Sequence, residues 1–180
     1  MMDFLNFRIE LLHPLLVHFP IALLITGAFA RLILAFVEKR TWANYVRVIY
    51  LWSLVLGCVG LAGAFFSGDE AEDVVNRIIC DPTITHDHED FAKLTLVAAG
   101  ISLFFALVQP ILALRLKAKL TTAVLHPPNR LAALTHAVVG IELMALASLI
   151  GLLTYTSHLG GTLVYEQGAG YLKTPNEQCD

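Results

Sequence analysis

Three short stretches of this chain carry residues that ligate metals. LLHPLLVHFPIALL (residues 11–24) holds His13 and His18, THDHED (85–90) holds His86, Asp87, His88 and Asp90, and TSHLGG (156–161) holds His158. Neutral imidazoles serve as axial ligands of b-type haem, and imidazole combined with carboxylate suits zinc or copper. The two remaining histidines, His126 in LHPPNR and His136, lie elsewhere. No C-x-x-C-H is present, which excludes covalent c-type haem.

The elements that carry these residues are apolar. Of 180 residues, 57% are hydrophobic and 15% charged, and the mean hydropathy is +0.68. A soluble domain carries about 25% charged residues. Apolar blocks of about 20 residues or more are long enough to cross a hydrocarbon core of roughly 30 Å. Four spans are predicted: His13 to Val37, Asn44 to Phe66, Glu89 to Leu114 and Arg130 to Tyr155. The expected fold is an all-α integral membrane four-helix bundle, one domain over 1–180, with a 2–3 loop over 67–88 and a tail over 156–180.

Charge sorts by side. Eight of the 12 Lys and Arg (Arg31, Lys39, Arg40, Arg47, Arg115, Lys117, Lys119, Arg130) lie at the end of the 1–2 and 3–4 connections, and 13 of the 15 acids lie at the other. The positive-inside rule then places both termini and the 2–3 loop in the periplasm of a bacterial inner membrane. GAFA (27–30) resembles a signal cleavage site, but the start carries Asp3 and Glu10 against Arg8, and apolar sequence continues to Val37. A signal needs a basic start, so no cleavage is expected.

In this topology five histidines gather at the periplasmic level. His18 lies five residues beyond His13, roughly 7 to 8 Å deeper. Pro14 suits a first helical turn, and Pro20 is expected to bend the helix beside His18. His86 and His88 are expected just before the third helix. His18 and His88 are the expected haem ligands, with His13 and His158 beside them, and His13, His86 and Asp90 are the alternative metal set. Small residues in GCVGLAGAF (57–65) allow close approach of a helix or a flat macrocycle, at Gly60 above all. Asp69 to Asp73 reads as an exposed helix start. Gly160 and Gly161 are expected to end the fourth helix, and Gly168 and Gly170 to turn Tyr165 back over the histidines.

Toward the other side Glu142 lies near mid-bilayer, level by helix counting with Thr26 and Ser102, while His136, Gln109 and Arg31 share a shallower level. These read either as a proton path or quinone-head site, or as structural polar contacts. Cys58 falls within the second span. Cys80 and Cys179 share the periplasmic side, where a disulfide would persist.

LHPLLVHFPIALL and LGGTLVYEQGAGY (159–171) resemble an uncharacterised bacterial four-helix membrane family. Its members open with L-H-P-L-x-V-H-F-P-I-A-L and close with G-G-x-L-V-Y-x-x-G-x-G-V. Here Tyr171 replaces the closing Val, and Gln167 stands where a basic residue or histidine is usual. The family tends to carry a histidine at the head of the third helix, matched in position by His88. Members occur fused to Rieske-type or cytochrome-c-type modules, so the resemblance implies membrane electron transfer with other membrane or periplasmic redox subunits.

Three readings stand open: a haem b electron-transfer subunit, a copper or zinc binding protein, and a cofactor-free subunit of a respiratory or photosynthetic complex. A redox carrier or complex subunit is expected rather than a stand-alone enzyme. No G-x-S-x-G, P-loop or dinucleotide-binding pattern is present. A net charge of −3 argues against nucleic acid as a partner.

Overall fold

The computed structural model describes residues 11–37, 40–122 and 129–170, with the side chains of 113, 116–122 and 129–132 excepted. Four helices account for nearly all of them: α1 Leu12–Val37, α2 Ala43–Val75, α3 Thr83–Thr122 and α4 Asn129–Tyr165. Each contains a stretch long and apolar enough to span a bilayer. No strand occurs among the described residues. A helix satisfies its own backbone hydrogen bonds, the condition lipid imposes on a spanning segment.

A seven-residue repeat decides which face each helix turns inward. In α1, His13, Pro20, Gly27 and Leu34 recur at that spacing, and in α2 so do Ala43, Tyr50, Gly57, Ala64 and Ala71. Pro20, Gly27 and Leu34 are buried, as are all five of the α2 positions. The α3 stripe is polar: His88, Thr95, Ser102 and Gln109. Its partner in α4 is Glu142, Leu149, Thr156 and Leu163. A 3.5-residue period keeps one seam facing a neighbour along a long helix. Large apolar residues off these stripes, such as Phe19, Phe36, Trp52, Phe104 and Met144, are exposed on the lipid-facing outside.

The helices pair as two hairpins, α1 on α2 and α3 on α4; α2 meets α3 less, and α1 meets α4 least. Between apolar helices in lipid, close packing of small residues replaces the hydrophobic effect as the driving force. Gly60 performs this role for Pro20: a Cβ at Gly60 would lie 3.2 Å from the proline Cβ. At Gly57 a Cβ would lie 2.7 Å from Leu24 Cδ2. Gly60 therefore receives a helix, and α1 continues through Pro20.

Several expected boundaries shift. The acidic run Asp69 to Asp73 extends α2 rather than starting a new helix, and α3 begins at Thr83, which places His86 and His88 inside it. Asp81 anchors that start, its Oδ1 accepting from the Thr83 N–H at 3.0 Å and the Thr83 hydroxyl at 2.5 Å. Helix α4 runs through Gly160 and Gly161 to Tyr165. Positive φ occurs later, at Gly168 (74°) and Gly170 (86°). Hydropathy marks the stretch inside the bilayer, while these helices continue beyond it on polar sequence.

Candidate functional site

His13 heads the inner stripe of α1 and His88 that of α3, so both imidazoles turn into the same end of the bundle. Their ring centroids are 6.1 Å apart and their planes are perpendicular, at 89°. Each ring is fixed in the same way by the neighbouring helix of its hairpin. The His13 Nδ1–H donates to the Ala64 carbonyl at 2.9 Å, with Ser67 Oγ at 3.2 Å. The His88 Nδ1–H donates to the Thr156 carbonyl at 3.0 Å. Thr156 is steadied by its hydroxyl contact with Thr95 at 3.0 Å.

Four residues beyond each accepting carbonyl stands a glycine. A Cβ at Gly68 would lie 2.9 Å from His13 Cε1, and one at Gly160 would lie 3.1 Å from His88 Cε1. The two hairpins thus repeat one device: an imidazole in the early turns of the first helix, a carbonyl on the second, and a glycine one turn on. With Nδ1 committed to a carbonyl, Nε2 carries the available lone pair, the arrangement common to metal-ligating histidines.

The pair borders a cavity of about 470 Å³ walled by apolar side chains including Val17, Ile21, Leu61, Phe65 and Leu153. Thr85, Glu72 and Glu89 also line it. His18 is exposed at its rim, with its Nδ1–H donating to the Pro14 carbonyl of its own helix. His158 is exposed, as is Asp90, which pairs with Lys93 at 3.1 Å. Tyr165 borders the cavity while 84% exposed. His86 is exposed and faces Glu72, with 3.4 Å between Nδ1 and Oε1.

The chain matches the family model described as "Predicted membrane protein (DUF2231)" over residues 10–173, which takes in all four helices. It belongs to this family. No curated protein and no solved structure matches the chain. The DUF2231 match bears out the family resemblance read from the opening and closing motifs, and with it the four-helix membrane fold.

Deeper in the DUF2231 bundle lies a second polar layer to which all four helices contribute. Glu142 of α4 is completely buried. Arg31 of α1 donates to its Oε2 through Nε at 2.9 Å, and a second guanidinium nitrogen lies 2.9 Å from the same oxygen. Tyr50 of α2 donates to Oε1 at 2.6 Å, and Gln109 of α3 donates to Oε2. A buried carboxylate tolerates low dielectric only when paired and hydrogen-bonded.

The levels expected from helix counting need correction. Arg31 and Gln109 reach Glu142, whereas Thr26 and Ser102 bond to carbonyls of their own helices, Ala22 and Ala98. Arg31 consequently sits inside the bundle instead of among the topology-setting surface charges. Tyr50 is the member that sequence reading missed, although its place on the seven-residue stripe of α2 marks it. His136 is exposed and lines a second cavity, of about 780 Å³, together with Arg31, Tyr50 and Gln109. Cys179 lies outside the described residues.

Proposed function

We propose that this protein is a membrane electron-transfer subunit that holds a b-type haem between His13 and His88. The observation that carries the reading is the matched pair of imidazoles, each with Nδ1 tied to a backbone carbonyl. Two imidazoles sharing one metal at about 2.0 Å would have ring centroids roughly 6 Å apart, and the spacing here is 6.1 Å. The cavity of about 470 Å³ falls within the volume usual for small-ligand pockets, about 300–1,000 Å³. The two imidazoles and the apolar walls fit the group. His13 takes the ligand role that depth alone gave to His18.

When bound, such a haem supplies one-electron redox chemistry, its potential set by axial ligands, hydrogen bonding and burial. The chain's own part is to fix both rings and to exclude water with apolar walls. The Ala64 and Thr156 carbonyls raise imidazole basicity. In keeping with the charge sorting, the proposal places this end at the periplasmic face of a bacterial inner membrane, near redox partners. A Cys80–Cys179 bridge belongs to the same proposal. Cys58, the free cysteine of the second span, is at the wrong depth to compete.

The test is single substitution of three histidines in the purified protein, followed by dithionite-reduced minus oxidised spectra. His13→Ala and His88→Ala lose the haem signal, while His18→Ala keeps it; loss in His18→Ala alone contradicts the assignment. A second reading, a copper or zinc ion between the same two rings, is favoured by the carboxylates of Asp69, Glu72 and Glu89 in the cavity lining, which suit a cation better than haem propionates. Elemental analysis separates the two: iron with haem supports the first, copper or zinc without haem the second.

A further inference from the structure

We infer that Glu72, His86 and Glu89 form a second, separate binding site for a divalent transition cation, zinc being the best match, at the mouth of the histidine cavity. The site is built where α2 ends and α3 begins. Glu72 lies in the last turns of α2, and His86 and Glu89 are three residues apart in the first turns of α3, on adjacent positions of one helix face. The ligand atoms these side chains offer all lie within 4.8 Å of one another.

The donor set and spacing are those zinc takes. Zinc accepts imidazole nitrogen and carboxylate oxygen at about 2.0–2.2 Å, and a tetrahedral centre of that size sets its ligands roughly 3.4 Å apart. His86 Nδ1 and Glu72 Oε1 are already 3.4 Å apart. Three protein ligands leave the fourth position to water.

Two buried oxygens beside the set point to that water. Thr85 Oγ1 has no hydrogen-bond partner among the described residues, although Thr85 is only 7% exposed. It lines the cavity one turn before Glu89. Asn76 Oδ1 is likewise buried without a partner, while its amide nitrogen donates to Glu72 Oε1 at 3.3 Å. A buried acceptor without a donor costs about 1–3 kcal/mol, and a metal-bound water has protons to give. Among the described residues, the cation on the cluster is Lys93, which meets Glu89 Oε1 at 3.0 Å and Asp90 at 3.1 Å. One ammonium shared between half-buried Glu89 and exposed Asp90 leaves Glu72 and His86 to an added ion.

The site shares no residue with the His13–His88 pair, so its test is independent of the haem proposal; Glu72 and Glu89 also line the histidine cavity, so His86→Ala is the variant that reads this site alone. Zinc alone is titrated calorimetrically into the detergent-purified protein. Wild-type protein binds one saturable equivalent at these residues. Glu72→Gln/Glu89→Gln and His86→Ala each weaken it tenfold or more, with helical circular dichroism and elution volume unchanged. His13→Ala/His88→Ala retains it. Undiminished zinc binding in Glu72→Gln/Glu89→Gln overturns the inference, as does its loss only in the His13→Ala/His88→Ala protein. Equal competition by calcium also overturns it, because it would make the cluster an acidic surface without nitrogen-ligand preference.

Discussion

The imidazoles of His13 and His88 meet across the two hairpins, with perpendicular planes and centroids 6.1 Å apart. Neither ring is held by its own helix: Ala64 on α2 fixes one and Thr156 on α4 fixes the other. Orientation is therefore set by hairpin packing, so changes that leave both histidines in place still reach the site.

The glycines behind the rings provide the sharpest case. Gly68→Ala and Gly160→Ala push a methyl group to 2.9 and 3.1 Å from an imidazole carbon. Each is expected to lower cofactor affinity about 10- to 100-fold, the usual cost of disturbing the groups that orient a ligand. Gly63→Ala and Gly161→Ala meet nothing within 4 Å and should leave binding unchanged. Cofactor retention during dilution distinguishes the two pairs.

The buried layer at Glu142 predicts an asymmetry. Glu142→Leu leaves Arg31 charged and unpaired inside the bundle and should cost about 3–5 kcal/mol. Arg31→Met/Glu142→Leu removes both charges and should recover most of that loss. Reversible unfolding in mixed micelles measures both. Equal destabilisation by the single and double changes would show that the ion pair is not what the layer depends on.

Packing of α1 on α2 makes a third case. Gly57→Ala puts a Cβ 2.7 Å from Leu24 Cδ2, an overpacking expected to cost about 1–3 kcal/mol. Leu24→Ala in the same protein should relieve the clash, so the two changes are non-additive in a double-mutant cycle.

The start of α3 predicts a pH response. Hydrogen bonds from the Thr83 hydroxyl and N–H hold the Asp81 carboxyl below the usual carboxylate range. A lowered folded-state value contributes stability that is present above the unfolded value, about 3.9, and lost as pH falls through the folded one. Amide protection factors in the first turn of α3, taken against intrinsic exchange at each pH, should therefore fall at acid pH. Asp81→Asn keeps a cap and should flatten that dependence.

Much of this was legible in the residues. Apolar runs of bilayer length identified the four spans, because lipid leaves few alternatives to a helix. The helix ends were not legible that way: Asp69 to Val75 and Thr83 to His88 are helical without being apolar. Depth could be counted along α1, but facing decides what a histidine meets. His13 lies seven residues before buried Pro20 and so within about 20° of its face, whereas His18, two before it, points roughly 160° away. The signal that separates them is the seven-residue stripe of His13, Pro20, Gly27 and Leu34, which hydropathy averages hide. The Glu142 layer was half visible, since Gln109 closes the polar stripe that His88 opens, while Tyr50 passes for an ordinary aromatic.

The most direct test of the central claim is the spectrum of the purified full-length protein, absorption and ferric electron paramagnetic resonance, for wild type and His13→Ala/His88→Ala. The account predicts a Soret band, a pyridine haemochrome of b type, and a low-spin signal of the highly anisotropic kind that perpendicular imidazole planes produce, all absent from the double variant. A colourless, iron-free wild-type protein, or an unchanged spectrum in the double variant, would contradict it.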